Sequence, residues 1–466
     1  MSILALSICS LIIALMAMPG SINLLGAVGG ELSVSILPLI LSAGLILGGM
    51  AAMQKLSSTR GLLKSTNKYL LFFFVLATAS VAWSAFPLTT IYRLYRLYAL
   101  VFACLLFCLI GWRHDRLAKV VLPAILFLTL STIVYAIIDP EGVLERSEFD
   151  GLILPELVGA WRGVTLHKNT LGSMSAFGVI FACNELMGKR RSGMLAWLVL
   201  LTSIVCLIGA KSSTAIFTAG FSVAVMVLLL KAPGIKNRRI VHGLTLVLVS
   251  FFLIYSLAVL NIVPGLGALI EPIVAMSGKD MTFSGRTTIW AIMKDEIFKH
   301  PLLGIGYASF WLGPDFPSPA FIFKIRMYIY PGEAHNGYLE VMNELGAVGI
   351  FALIGYLFEY IKQSVRLLQF DRRKAGLYIA MLFSQLIANM SEAYWWNIAS
   401  VQFFVLTLVT FDMACTLRQK SMSDKLRAAE VAKAAEQYRL GVVSEAVRIE
   451  TGTPPAIRGN RGDESQ

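Results

Sequence analysis

Charge is what this sequence has least of. Only 15% of its 466 residues are Asp, Glu, Lys or Arg, where a soluble domain carries roughly a quarter. Hydrophobic residues make up 57% and the mean hydropathy is +0.72. These values exclude an ordinary soluble enzyme and predict a polytopic membrane protein. Cysteine is scarce too. Cys9, Cys104, Cys108, Cys183, Cys206 and Cys415 all fall in or beside apolar runs, which offers neither a disulfide framework nor a zinc spacing. The sequence also lacks a nucleotide-binding loop, a carboxylate cluster of the metal-holding kind and an obvious internal repeat. No cofactor and no metal are expected. Acidic residues are outnumbered 28 to 40 by basic ones. In a soluble chain that excess would suggest nucleic acid. Here the enrichment of Lys and Arg in cytoplasmic loops accounts for it, and no nucleic-acid partner is expected.

A membrane-spanning helix needs about 20 mostly apolar residues. About twelve runs qualify: 3–19, 34–53, 69–86, 95–112, 119–138, 169–187, 194–210, 213–230, 241–262, 338–360, 375–391 and 396–414. The first has no basic segment ahead of it and reads as a retained helix. Basic clusters mark alternate loops: Lys55 to Lys68, Arg113 to Lys119, Lys189 to Arg191, Lys231 to Arg239, and Lys362 to Lys374. The positive-inside rule makes these cytoplasmic, with both termini inside. The opposite face then receives 20–33, 87–94, 139–168, 211–212, 263–337 and 391–395, and the first and last of these contain no Lys or Arg. The expected architecture is an all-α polytopic membrane protein. Its domain spans 1–418, with one large outward loop, 263–337, between the ninth and tenth helices. Beyond it, Ser421-x-x-Asp424 resembles a helix start and predicts a cytoplasmic amphipathic helix over 419–450. The tail 451–466 reads as disordered.

The outward face concentrates polar chemistry. His335 stands just ahead of the tenth span, and a histidine there titrates near neutrality. It is expected to be neutral and able to take a proton from a sugar hydroxyl. Helical spacing puts Asn336, Glu340 and Glu344 on one stripe, with Glu344 roughly 13 Å below His335. An acid at that depth is functional or paired with a cation. Gly346 and Gly349 would leave a flat face for a neighbouring helix. Arg286 opens a helical segment, and its guanidinium fork matches phosphate oxygens. Lys211 in a short outward turn, Arg162 and Lys168 add cations, with Asn169 beside them. Arg93 and Arg96, among Tyr92, Tyr95 and Tyr98, read as an interfacial aromatic–basic belt.

These residues resemble the superfamily of bacterial O-antigen ligases and O-antigen polymerases. Its hallmark is His followed by Asn, Ser or Gln, then nine residues, then Gly-x-x-Gly. His335-Asn336, residues 337–345 and Gly346-Ala347-Val348-Gly349 fit it without a gap. Gly285-Arg286, Trp290, His300-Pro301 and Gly304-Ile305-Gly306 resemble the family's outer loop. The likeness covers about 195–355. It implies a metal-independent glycosyltransferase of the bacterial inner membrane with a periplasmic active site. Undecaprenyl-diphosphate-linked glycan would be the donor and membrane lipid its surroundings, with a chain-length regulator or flippase as possible partners. By the same resemblance His335 and Arg286 are the catalytic residues, and Lys211 stands where ligases carry arginine. Arg162, Asn169, Asn336 and Glu344 are the expected substrate-binding residues. The pattern around His335-Asn336-Gly337-Tyr338-Leu339-Glu340 is closer to exopolysaccharide polymerases, with a ligase that joins glycan to lipid A-core as the alternative. A transporter is the rival of another class. It would show repeat symmetry and midplane breaks, whereas the long polar loop here lies off-centre.

Overall fold

Where no water reaches the backbone, a helix satisfies its N–H and C=O groups within one segment. The computed structural model of this chain describes residues 7–12, 36–54, 56–111, 116–146, 148–149, 152–153, 157–188, 193–231, 238–259 and 286–451. They are helical and irregular, apart from a two-residue antiparallel hairpin that pairs Glu148 with Ile153 and Phe149 with Leu152. In chain order the helices are α1 (Ile36–Met53), α2 (Leu56–Ser65), α3 (Lys68–Ala79), α4 (Pro87–Leu106), α5 (Arg116–Ile138), α6 (Lys168–Leu186) and α7 (Gly193–Gly209). They continue with α8 (Ser213–Lys231), α9 (Arg238–Val259), α10 (Arg286–Ile297), α11 (Phe321–Met327), α12 (Gly337–Leu367), α13 (Arg372–Ala388) and α14 (Val401–Thr451).

Five described helical stretches are long and apolar enough to cross a membrane: Pro87–Leu109, Arg116–Ile138, Ser213–Lys231, Gly337–Leu367 and Val401–Arg439. A sixth arises if Ser58–Ser65 and Lys68–Ala82, bent by 98°, form one span. Shorter apolar helical stretches among the described residues are Ala43–Met53, Gly193–Gly209 and Val241–Phe251. Of the expected run 3–19, only 7–12 lies within the described residues, and 20–33 and 260–285 lie outside them.

Polar residues tie the helices together. Asn67 accepts from the N–H groups of Tyr69 and Leu70 to open α3, while its amide donates to the Tyr356 carbonyl of α12 at 2.9 Å. Asp371 caps α13 at the Lys374 N–H. Around the site, α6 packs on α7, α8 and α13, and α12 on α3 and α13.

The stretch before α12, expected as a polar loop, is a folded lobe. Ile289, Trp290, Ile292, Met293 and Ile297 of α10 pack with Phe310, Ala320, Phe323, Ala334 and Leu339. Helical spacing puts the apolar residues of α10 on one side, so the polar residues that dominate the sequence cover the other.

The Gly-x-x-Gly segment also differs from expectation. Gly346 has φ 62° and ψ −159°, which breaks α12 instead of offering a flat face. The break exposes backbone groups that must find partners, and the lobe's 301–306 segment supplies them. The N–H groups of Ile305 and Gly306 donate to the carbonyls of Asn343 and Glu344, at 2.9 and 3.0 Å. Those of Ala347 and Val348 donate to Pro301 and Leu302, at 2.9 and 3.2 Å. A Cβ on Gly346 would stand 2.3 Å from the Leu302 carbonyl, so both the positive φ and the close approach require glycine. Arg93, expected in an interfacial aromatic–basic belt, donates to the carbonyls of Ala308 and Trp311, the latter at 2.9 Å. The loop's unpaired carbonyls claim the guanidinium.

The chain divides after Cys415. Ser421, expected to begin a helix, is an interior residue of α14. From Gln419 to Arg439 the side chains of that second unit are mostly exposed, Leu426, Val431 and Tyr438 among them. The expected tail from 452 lies outside the described residues.

Candidate active site

Glu392 is the centre of the site. It sits in the turn after α13 with its side chain 8% exposed. That turn is shaped by Asn389, whose carbonyl group on the side chain accepts from the N–H groups of Tyr394 and Trp395 at 2.9 and 2.7 Å. The Asn389 backbone carbonyl also receives the Gly337 N–H at 2.9 Å. One residue therefore joins the Glu392 turn to the start of α12, where His335 lies. A side chain at Gly337 would collide with the Asn389 amide, 2.0 Å from the added Cβ.

Three polar side chains converge on this carboxylate. Asn169, in the first turn of α6, donates to Oε1 at 2.6 Å. Arg286, at the start of α10, donates to the same oxygen at 3.0 Å. Nδ1 of His335 stands 3.6 Å from Oε2. Glu333 completes the group, with Oε1 2.9 Å from His335 Nδ1. That contact lies off the line of an N–H hydrogen bond, so it is a charge contact. His335 adopts φ 49°, a left-handed conformation that is uncommon outside glycine and concentrates at functional sites. Its neighbour Ala334 is clamped on both sides. The Ala334 N–H donates to Glu340 at 3.0 Å, and its carbonyl accepts from Trp290 Nε1 at 3.0 Å.

The electrostatics follow from burial and charge. Burial alone depresses the pKa of His335, but the Glu333 and Glu392 carboxylates outweigh it and raise the imidazole to about 9. The neutral resting histidine expected from sequence is thus replaced by an imidazolium, because two carboxylates that are distant in sequence meet it. Burial pushes Glu392 up, yet His335 and Arg286 hold it well below the usual carboxylate range. Glu333 is raised, by burial first and by Glu392 as a second carboxylate, against the pull of His335. His167 goes the other way. Its Nδ1 caps α6 at the Asn169 N–H, and burial lowers its pKa despite Glu392 and Glu145. The ligand atoms of Glu333, His335 and Glu392 lie within 4.8 Å of one another, close enough to hold an ion. The negative charge there is already met by Arg286 and His335.

The other expected site residues are placed as follows. Asn336 is buried and caps α12 through the N–H groups of Tyr338 and Leu339, at 3.0 and 3.1 Å. Glu344, expected to bind substrate, takes a hydrogen bond from Ala308 and faces Arg93. Asn336 thus opens α12, and Glu344 ties that helix to the 306–308 segment. Lys211 has φ 48° and its Nζ lies 3.3 Å from the Val158 carbonyl. Arg162 reaches the Gly142 carbonyl at 3.5 Å. Neither makes a described contact with Glu392. Glu392 and Glu333 were missed from sequence. Glu392 is the single acid in a loop without Lys or Arg; with no local counter-ion it had to find cations elsewhere in the fold.

Residues 197–354 match the family described as O-antigen ligase. The chain is also 27% identical over 223 residues to the exopolysaccharide production protein ExoQ of Rhizobium meliloti (strain 1021). That alignment covers 45% of this chain and 48% of the relative, so the chain spans about half the length of the curated protein it matches. The family match includes Lys211, Arg286, Glu333 and His335, while Asn169 and Glu392 lie outside it.

Proposed function

Because the chain belongs to the superfamily of O-antigen ligases and polymerases, we propose that it transfers glycan from a lipid-diphosphate-linked donor to a saccharide hydroxyl at the Glu392-centred site. The supporting observation is that Arg286, His335 and Asn169, drawn from three separate helix starts, meet on one buried carboxylate. Glycosyl transfer of this kind forms a bond from the acceptor oxygen to the anomeric carbon. It breaks the bond to the diphosphate, which leaves with the electron pair. Preorganised cations stabilise the charge that develops there, and Arg286 and the His335 imidazolium supply two of them. The acceptor's proton needs a base. Glu333 is held beside His335, is 27% exposed and has a pKa raised by burial, which makes it a better proton acceptor than an ordinary carboxylate. Lys211 adds charge for the diphosphate from the neighbouring turn.

The acceptor separates the two activities of the superfamily. We favour the polymerase, in which the acceptor is another lipid-linked repeat unit, because the relative is an exopolysaccharide production protein. This reading places the protein in the bacterial inner membrane with the lobe and site in the periplasm and both termini in the cytoplasm. A clean gene deletion tests it. Loss of secreted polymer with accumulation of single lipid-linked repeats supports the polymerase. Loss of lipid A-linked chains alone points to the ligase, and no change in either glycan refutes both.

A further inference from the structure

Glu340 is a buried acid to which the transfer chemistry gives no role. It lies in the first turn of α12, is 5% exposed, and its two oxygens meet different donors. Oε1 accepts from Trp311 Nε1 at 2.6 Å, and Oε2 accepts from the Ala334 N–H at 3.0 Å. Trp311 is itself held in place, because its carbonyl receives Arg93 of α4 at 2.9 Å. On the other side of Ala334, the carbonyl accepts from Trp290 Nε1 of α10 at 3.0 Å. Trp290 stands one turn after Arg286 on that helix, and His335 follows Ala334 directly. Ala334 is thus gripped from α12 and from α10, beside one cation of the site and one turn from the other.

A buried carboxylate costs free energy unless it is hydrogen-bonded. What it offers here is acceptance on both oxygens. A glutamine has one acceptor oxygen and would turn its own N–H groups toward the second donor. Two N–H donors aimed at one side chain therefore call for an acid. His335 needs such a grip, because its φ of 49° persists in a residue with a side chain only where the surroundings over-determine it. We propose that Glu340 is a positioning residue for glycan transfer: through Ala334 it holds His335 in its left-handed conformation against Glu333 and Glu392. The use of that geometry in catalysis rests on the transfer reading, whereas the grip on His335 does not.

Glu340→Gln keeps the length and removes one acceptor, and two measurements on the full chain in detergent read the result. The first is initial-rate transfer from lipid-linked donor. Displacing a reacting group by about 1 Å costs on the order of a hundredfold in rate, so kcat should fall by about that factor with KM for the donor unchanged. The second needs no substrate. It is the titration of the His335 ring by NMR of histidine-labelled protein, with the signal assigned from His335→Gln. In the parent, burial lowers the ring's pKa but Glu333 and Glu392 hold it at about 9. In Glu340→Gln it should titrate lower, because the ring leaves both carboxylates. Adding Trp311→Phe removes the competing donor and frees the amide oxygen for the Ala334 N–H, so most of kcat and of the titration should return. An effect of the lost charge alone would persist in that double variant. Glu340→Met, of similar length and without an acceptor oxygen, makes the same removal if Glu340→Gln does not fold. Parental kcat and titration in either folded variant overturn the proposal and leave Glu340 a contact of the fold. So does a double variant as slow as Glu340→Gln. A parent that transfers no glycan refutes the transfer reading instead, and the titration then decides the grip on His335 by itself.

Discussion

The pH dependence of turnover separates the two roles open to His335. In the folded protein its pKa is raised to about 9, with burial opposing and Glu333 and Glu392 prevailing. A group raised in this way carries its charge fully below its ordinary value and loses it as pH climbs through the folded value. If the imidazolium stabilises the departing diphosphate, kcat/KM falls as pH rises through about 9. Glu333 must be ionised to accept the proton, so kcat/KM also falls on the acid side, through a pKa that burial lifts above the usual carboxylate value. The profile is a bell. His335→Gln should cost about 10²–10³ in rate and lose the alkaline limb. Glu333→Gln should cost roughly 10²–10⁴ and lose the acid limb. The assay is initial-rate transfer from lipid-linked donor by purified protein between pH 5 and 10.5, with buffers overlapped. A parent whose rate keeps climbing through pH 9, with the climb abolished in His335→Gln, would make His335 the base and refute this division of labour.

Other perturbations test other parts of the account. Glu392→Gln leaves Arg286 and His335 without their buried counter-charge. It should destabilise by about 3–5 kcal/mol and shift the alkaline limb toward neutrality, and a thermal melt that matches the parent would contradict this. Gly346→Ala places a Cβ at φ 62° and 2.3 Å from the Leu302 carbonyl. We expect a loss of roughly 3 kcal/mol or more, seen as a collapse of folded yield in gel filtration; a well-folded variant would mean the lobe is not stitched to α12 as described. Lys211→Arg should be tolerated, while Lys211→Ala should raise the donor concentration needed for half-maximal rate. Equal donor dependence in parent and Lys211→Ala would make the residue a surface cation only. Phe298, 77% exposed on the lobe, replaced by cysteine should react with an impermeant maleimide in intact spheroplasts, and labelling only after lysis would overturn the topology.

The helical character and the polar stretch ahead of α12 were legible because hydropathy and loop charge are local properties. His335 and Arg286 stood out for the same reason, as polar groups in an apolar chain. Contacts between distant segments were not legible. Sequence spacing set Glu344 on the stripe of Asn336, yet the break at Gly346 and the 306–308 loop draw it to Arg93. The motifs Pro301-Leu302-Leu303-Gly304-Ile305-Gly306 and Gly346-Ala347-Val348-Gly349 read as two separate features. They are two halves of one joint, since each supplies the backbone partners the other lacks. Glu392 escaped notice because its partners Asn169 and Arg286 lie 223 and 106 residues away. The charge of His335 could not be read for the same reason: one of the two carboxylates that set it comes from that distant turn.

The central claim is that Arg286 and His335, gathered on Glu392, carry out transfer from a lipid-diphosphate donor. The most direct measurement is a single-turnover reaction of purified protein with its lipid-linked repeat unit, read by the length of the lipid-linked product. The account predicts elongated product with the parent. It predicts elongation slower by about 10²–10³ with Arg286→Lys and with His335→Gln, when both variants melt like the parent. Elongation at parental rates in either folded variant would contradict it.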